Sequence, residues 1–469
     1  MASRILLVLS VVWLIGICVP AWATVYVVPG GTGNGTTWAK AFGSIQGGIN
    51  AAFSKGGDQV WVAKGTYYEN ITLAAGVKLY GGFVGNETTL AARPSFPRPN
   101  PDPNASVING GWAGSVVTVP AGLGPDVVID GFVIIDGYSN YGGGGILVLN
   151  SNPIIRNCVI TGNGATRGAG IYCVGASPTI VNDIITGNFA DDWGGGICCE
   201  DGASPSITYS TISCNYAGYY GGGLDIETDS SPLVAWVNIT GNSAGWDGGG
   251  VFVFDGSNPN ITCNNISSNN AGWYGGGIYI YNSSPTITRN TISYNIAPID
   301  GGGLYIYYYS SPAVIDNIIA GNYAGGYGGG IAVYWYCSPI FTNNTIASNT
   351  SVNKGGGLVL LYKAAASVSN NIVAFNSSGI YSYYSAPTLR KNDVYNSPGV
   401  NYIGLVPGTG DISVNPQFVN SAAGDYHLAG TSPAINKGLN TAPSIPSLDY
   451  AGNTRIVGGI VDMGAYEAQ

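Results

Sequence analysis

The chain has 469 residues, a formal net charge of −9, only 9% charged residues and 74 glycines. Its 16 Lys and Arg are scattered, which excludes nucleic acid as a partner, because phosphate binding needs clustered cations. With 32 Tyr and 10 Trp and frequent Ile and Val in short runs, disorder is excluded too, and the expected class is all-β.

Residues 1–23 carry Arg4, an apolar run from Ile5 to Val19, and Ala21-Trp22-Ala23. This is the layout of a secretory signal with a small-residue cleavage site, so cleavage after Ala23 and export to the cell envelope or exterior are expected. Cys18 reads poorly as a lipidation site because the bulky Ile17 precedes it. No later stretch is long enough to span a bilayer, so no membrane span is expected after cleavage. The remaining cysteines are Cys158, Cys173, Cys198, Cys199, Cys214, Cys263 and Cys337. They are odd in number and none has zinc-motif spacing. Cys173 and Cys199 fall at one inward position of successive repeats, where buried free thiols are favoured over a disulfide.

Residues 24–115 read as an N-terminal cap with the first coils. Trp38, Phe42, Ile45, Ile49, Ala52 and Phe53 recur at helical spacing and predict an amphipathic helix over 38–54, followed by the strand VWVAKGTY.

Residues 116–400 repeat at a period of roughly 26 residues. After each glycine cluster comes one apolar residue (Ile171, Ile197, Leu224, Val251, Ile278, Leu304), and another follows two positions on (Cys173, Cys199, Ile226, Val253, Ile280, Ile306). This is the period of a strand with one buried face. A Ser-Pro or Asn-Pro step follows (Pro178, Pro205, Pro259, Pro285) and forces an extended residue before it. A second apolar strand ends three residues before a recurring asparagine: Asn163, Asn188, Asn215, Asn242, Asn269, Asn295, Asn322, Asn349 and Asn376. Asparagine tolerates left-handed corners, and amides stacked in successive coils can hydrogen-bond along the stack. Such repeats bury their apolar columns only by coiling on one another, which predicts a right-handed parallel β-helix. Residues 401–469 read as a loop-rich C-terminal cap. It carries the only histidine, His427, which is expected to be structural or solvent-exposed.

The repeats ITGNFADDWGGGICC and ISYNIAPIDGGGLYI, the latter followed within a few residues by SSP, resemble the right-handed β-helix proteins of the pectate-lyase-like superfamily. The opening VYVVPGGTGNGTTWAKAFGSIQGGINAA and the ending NPQFVNSAAGDYHLAGTSPAINKG are similar to the terminal segments of secreted bacterial members. The resemblance implies the fold but not one activity, because the superfamily spans lyases, hydrolases and adhesins. Polygalacturonase-like catalysis implies three aspartates with a Gly-His-Gly element, and the coils hold no histidine, although Asp191 and Asp192 are adjacent. Pectate-lyase-like catalysis implies acidic Ca²⁺ ligands with a Lys or Arg base on one face. Lys354 and Lys363 lie five coils from Glu227, and only Arg167 comes near.

Between the buried columns, the outward positions form two stripes: Tyr172, Cys198, Asp225, Phe252, Tyr279 and Tyr305, then Glu200, Glu227, Phe254, Tyr281, Tyr307 and Tyr334. Trp193, Trp246 and Trp273 lie in the turns just before the glycines. Trp193, Trp246, Trp273, Tyr279, Tyr281, Tyr305 and Tyr307 are therefore the candidate substrate-binding residues, as a ladder of sugar-stacking rings. The competing reading is rings that pack on one another and stabilise the sheet. Glu200, Asp225 and Glu227 are the candidate catalytic residues, with Glu200 and Glu227 a carboxylate pair of glycosidase spacing and Asp225 on the same strand as Glu227. The same three residues are the candidate Ca²⁺ ligands, and a plain solvated acidic patch is the bland alternative. Three functions stay open: polysaccharide binding, polysaccharide hydrolysis or elimination, and a structural or adhesive rod.

Overall fold

The computed structural model describes residues 24–94 and 102–469; the signal-like segment 1–23 lies outside the described residues. Each repeat lays down short strands that pair in parallel with the same strands one coil away, giving a solenoid with three long walls and one narrow one. Sheet 1 follows the glycine clusters and runs through 13 strands from Ile71–Thr72 to Tyr402–Ile403. Sheet 2 follows the proline steps, with 14 strands from Val25–Val27 to Thr388–Arg390, and sheet 3 precedes the asparagines, with 13 strands from Gly65–Tyr68 to Asp393–Tyr395. A narrow sheet 4 of 9 strands, Tyr138–Ser139 to Thr350–Ser351, closes each coil before the glycines. Register is continuous: Ile171 pairs with Ile197, and Ile197 with Leu224. The expected apolar columns are all buried in one core.

The expected asparagine stack is present. Asn242 donates through both its backbone N–H and Nδ2 to Asn269 Oδ1 at 3.0 Å, and Asn269 does the same to Asn295. The pattern runs from Asn163 to Asn396. A second ladder at the corner between sheets 2 and 3, not foreseen from the sequence, links Asn264, Asn290, Asn317, Asn344, Asn371 and Asn392, and ends on Asp411. Both ladders satisfy backbone N–H groups that would otherwise be stranded inside corners.

At the N-terminal end the helix is shorter than expected, Ile45–Phe53, with a single 3₁₀ turn at Trp38–Lys40. Phe42 is drawn instead into β-bridges with Val27 and Thr32. Ser44 then caps the helix, accepting from Gly47 N–H at 3.1 Å. Ile45, Ile49 and Ala52 cover the first coil.

The C-terminal segment does more than close the far end. Tyr402–Ile403 adds the last strand of sheet 1, and the chain then turns back and straps along the outside of sheet 3. Asn343 Nδ2 donates to the carbonyls of Asp462 and Gly464, buried Arg455 pairs with buried Asp316, and Tyr450 Oη bonds Thr291 Oγ1 at 2.6 Å. His427 is exposed in this strap, bonded to Asp425 and stacked on Tyr466. The seven cysteines among the described residues are all free thiols, with Cys173 and Cys199 inside the core. Among the described residues no helix is long and apolar enough to cross a membrane.

Candidate functional site

The outer face of sheet 1 holds the candidate carboxylates and tyrosines, carboxylates in the earlier coils and tyrosines in the later ones. Trp193, at the end of a sheet 4 strand, and Trp246 and Trp273, in the turns before the glycines, stand along its edge. The two stripes are in register: Cys198 pairs with Asp225, Asp225 with Phe252, Phe252 with Tyr279, and Tyr279 with Tyr305. Glu200 and Glu227 occupy equivalent places on neighbouring coils, since Glu227 N–H donates to Cys199 O at 2.9 Å.

The three carboxylates have different surroundings. Glu200 is held by Arg167, whose Nη1 donates to both carboxylate oxygens at 2.9 and 3.0 Å, and by the Tyr172 hydroxyl. The Arg167 guanidinium also lies over the Trp193 ring, 3.9 Å from its centroid. Asp225 is wholly buried; its Oδ2 accepts from Cys198 Sγ at 3.3 Å, and its Oδ1 has no partner. Burial, then the neighbouring Glu227, hold the Asp225 carboxyl well above the usual carboxylate range. Glu227 is pushed up to about 7, chiefly by burial and then by Glu200, with Arg167 opposing.

The three carboxylates do not assemble as a metal cage, and among the described residues no group of three His, Cys, Asp or Glu side chains does. Asp225 is sealed beneath the stripe, and Glu200 already has a guanidinium on both oxygens, so their lone pairs do not converge on one point. What the cluster can do is hold a proton on Glu227 near neutrality beside a charge-compensated Glu200, the separation of environments that acid–base chemistry uses.

The aromatic stripe divides as well. Tyr279 and Tyr305 are only 7% and 5% exposed, because Tyr220, Tyr274, Phe254, Tyr281, Tyr307 and Tyr327 pack over them in a second apolar layer outside the solenoid. Tyr279 and Tyr305 therefore offer no open ring face, while Tyr281 and Tyr307 are half-buried above them. Trp193 is half-buried with one face taken by Arg167. Trp246 and Trp273 stack with centroids 4.8 Å apart and planes 6° apart, and Trp273 is 44% exposed.

Two further features of this face were not foreseen from the sequence, although it places Asp247 and Asp300 in the turns before the glycines. Buried Asp247 and Asp300 hold the turns before the glycines, accepting from Tyr274 N–H at 3.1 Å and from Tyr327 N–H at 2.6 Å; Asp300 also accepts from Tyr334 Oη at 2.9 Å. Burial raises both, Asp247 to about 7. The second feature is an exposed aromatic rim at the corner where sheet 1 ends. Tyr308, Tyr309, Trp335 and Tyr336 stand there, 39% to 55% exposed. All four have left-handed backbones, with φ from 49° to 62°. Tyr309 stacks on Tyr336 at 5.1 Å, and Trp335 on Tyr362 at 4.9 Å. Upstream coils fill the same corner with Asp201-Gly202, the left-handed Thr228-Asp229 and Asp255-Gly256.

The right handed beta helix region model matches residues 126–274 and 249–415 of this chain. No curated protein matches it. Among solved structures it is similar to pectate lyase Pel9A, at 15% identity over 95% of this chain and 96% of that one, with a TM-score of 0.46. It is also similar to the A-module of the Azotobacter vinelandii mannuronan C-5 epimerase AlgE6, at 14% identity over 80% and 95% of the two chains, TM-score 0.36. The A-module of AlgE4 from the same organism matches at 13% identity over 83% and 100%, TM-score 0.28.

Proposed function

The chain belongs to the right-handed β-helix family, and from that premise we propose that it is an exported protein that binds an extended polysaccharide along the outer face of sheet 1. The observation that carries this reading is the left-handed aromatic rim. A left-handed backbone costs a non-glycine residue about 1–2 kcal/mol, and Tyr308, Tyr309, Trp335 and Tyr336 accept it while leaving much of their rings in solvent. The corner itself is left-handed in sister coils too, as Asp201-Gly202, Thr228-Asp229, Asp255-Gly256 and Tyr362-Lys363, so it is the exposure of four rings clustered there that points to a role outside the fold. With the Trp246–Trp273 stack on the opposite edge of the same sheet, the face is bordered on both sides by rings suited to the apolar faces of sugars. Purified protein would be passed over plant, algal and bacterial polysaccharides, with and without Ca²⁺, reading retention and new chain ends. Retention that disappears in a combined Trp246→Ala, Trp273→Ala, Tyr281→Ala variant supports the reading; unchanged retention removes it.

A second reading, polysaccharide cleavage, is favoured by the contrast between Glu227 and Glu200. A carboxyl poised at about 7 next to one ion-paired with Arg167 suits a general acid beside a compensated carboxylate. New reducing or unsaturated ends that vanish in Glu227→Gln, with the fold intact, would make the protein an enzyme.

A further inference from the structure

On the opposite side of the solenoid, where the C-terminal strap ends its run along sheet 3, a cleft of about 540 Å³ opens between the strap and the corner joining sheets 2 and 3. One corner position of four successive coils faces it: Tyr209, Trp236, Cys263 and Arg289. Their backbones are chained coil to coil, Tyr209 N–H donating to Ala235 O and Trp236 N–H to Thr262 O. Tyr209 and Trp236 are 64% and 55% exposed and lie parallel, 3° apart with centroids at 6.3 Å.

The stack then breaks. Tyr209 covers one face of Trp236, and the next position on the other side is the small Cys263, with Arg289 one coil further on. Two coil spacings amount to about 10 Å, and a ring flanked on both faces at van der Waals distance occupies about 7–8 Å. The Arg289 guanidinium makes no ion pair among the described residues. Asp316, whose carboxyl feels the charge of Arg289, is ion-paired with Arg455 instead. Asn238 and Asn265 line the same space with exposed side chains. The far wall is fixed by the Tyr450 hydroxyl bonded to Thr291, so the cleft is formed before any ligand arrives.

We infer that this cleft is a second binding site, for a saccharide ring that carries an anionic group. The ring stacks on the free face of Trp236 above Cys263, its carboxylate or sulfate meets Arg289, and the amides of Asn238 and Asn265 take its hydroxyls. The cleft's volume lies within the usual range for small-ligand sites, and one aromatic face, one cation outside any ion pair and a few amides are the chemistry such a ring requires. The site shares no residue with the face of sheet 1, so it stands or falls separately from the reading above.

The full chain would be titrated calorimetrically with acidic tetrasaccharides bearing glucuronate, galacturonate or sulfate, each beside its carboxyl-reduced or desulfated form. At least one acidic member should bind, its neutral form about tenfold more weakly, and Trp236→Ala and Arg289→Gln should each weaken it about tenfold. Trp273→Ala, on the other face, should leave this binding unchanged. Both substituted side chains reach solvent, and an unchanged melting temperature would show that the fold survives. If no acidic member binds, or if binding ignores Trp236 and Arg289, the inference is wrong.

Discussion

Arg167 and Glu200 stand one coil apart and form a two-pronged ion pair, with contacts of 2.9 and 3.0 Å, while the same guanidinium covers Trp193. The pair sets the field felt by Glu227. Arg167 favours the ionised form of Glu227 and Glu200 opposes it. In Arg167→Gln the midpoint of Glu227 should therefore move upward from about 7, read by NMR titration of ¹³C-labelled glutamate. Arg167→Lys should restore that midpoint only in part, because a lysine cannot reproduce the stacking of the guanidinium on Trp193 that holds it in place. An unchanged midpoint in Arg167→Gln would mean that burial alone sets it.

Buried acids give the whole molecule a pH dependence of definite sign. Folding raises Glu227 from 4.5 to about 7, Asp247 and Asp393 from 3.8 to about 7, and Asp183 from 3.8 to about 8, in each case chiefly by burial. Between the unfolded and folded values the native state holds more protons than the unfolded chain, so stability falls as pH rises. The contribution is complete below the ordinary carboxylate values and is lost as pH climbs through 7 to 8. The melting temperature should be higher at pH 5 than at pH 8 at constant salt. Asp183→Asn should flatten the slope and stabilise the protein at pH 8. Asp183 occupies the column of the second asparagine ladder, accepting from Cys158 N–H at 2.7 Å, with its Oδ2 unpartnered. An amide there removes the buried charge and supplies a donor, worth about 1–3 kcal/mol. A melting temperature that rises with pH would contradict this account.

The coils, their inward columns and the first asparagine ladder were legible because each repeats a residue type at fixed spacing. The second ladder was legible in principle: Asn264, Asn290, Asn317, Asn344 and Asn371 recur just before the strands of sheet 3, but the louder asparagine column beyond those strands hid them. The strap along sheet 3 also left a trace. The outward positions of sheet 3 change from Thr211/Ser213 and Asn238/Thr240 to Ile318/Ala320 and Ile372/Ala374, the apolar pairs lying where Tyr426, Met463, Ala465 and Tyr466 cover them. The nearness of Arg167 to the carboxylates was anticipated from coil position, but its ion pair with Glu200 was not. The depth of Tyr279, Tyr305 and Asp225 was not, because alternation assigns a face without saying what else packs on that face.

The first asparagine ladder should be cooperative. Asn269 accepts from both nitrogens of Asn242 and donates to Ile239 O and Asn295 Oδ1, all at 2.9–3.0 Å. Asn269→Ala strands the buried partners on both neighbouring coils and should cost about 2–4 kcal/mol, at about 1–3 kcal/mol for each unsatisfied group with some relaxation. Asn269→Asp should cost more above neutral pH, because a carboxylate would face two acceptors with no proton to offer. Denaturant unfolding at pH 5 and pH 8 separates the two variants, and an Asp variant as stable as the parent at pH 8 would overturn this role for the amide.

The left-handed rim offers the sharpest test of function against packing. If Trp335 and Tyr336 are kept to hold coils together, replacing them by Asn-Gly removes two ring stacks, worth about 0.5–1.5 kcal/mol each, and the protein should lose stability. If they are kept for a ligand, the same change relieves two strained left-handed backbones at about 1–2 kcal/mol each and removes rings that solvent already reaches. The expected outcome is a melting temperature equal to or above that of the parent, together with weaker retention on the polysaccharide that the parent binds. Tyr279→Ala provides the contrast. That ring is buried between Phe252 and Tyr305 in the outer apolar layer, so its loss should cost about 3–5 kcal/mol, as for other large-to-small core changes. Lower stability with undiminished retention in the Asn-Gly variant would assign the rim to the fold and move the search for the glycan back to Trp246 and Trp273.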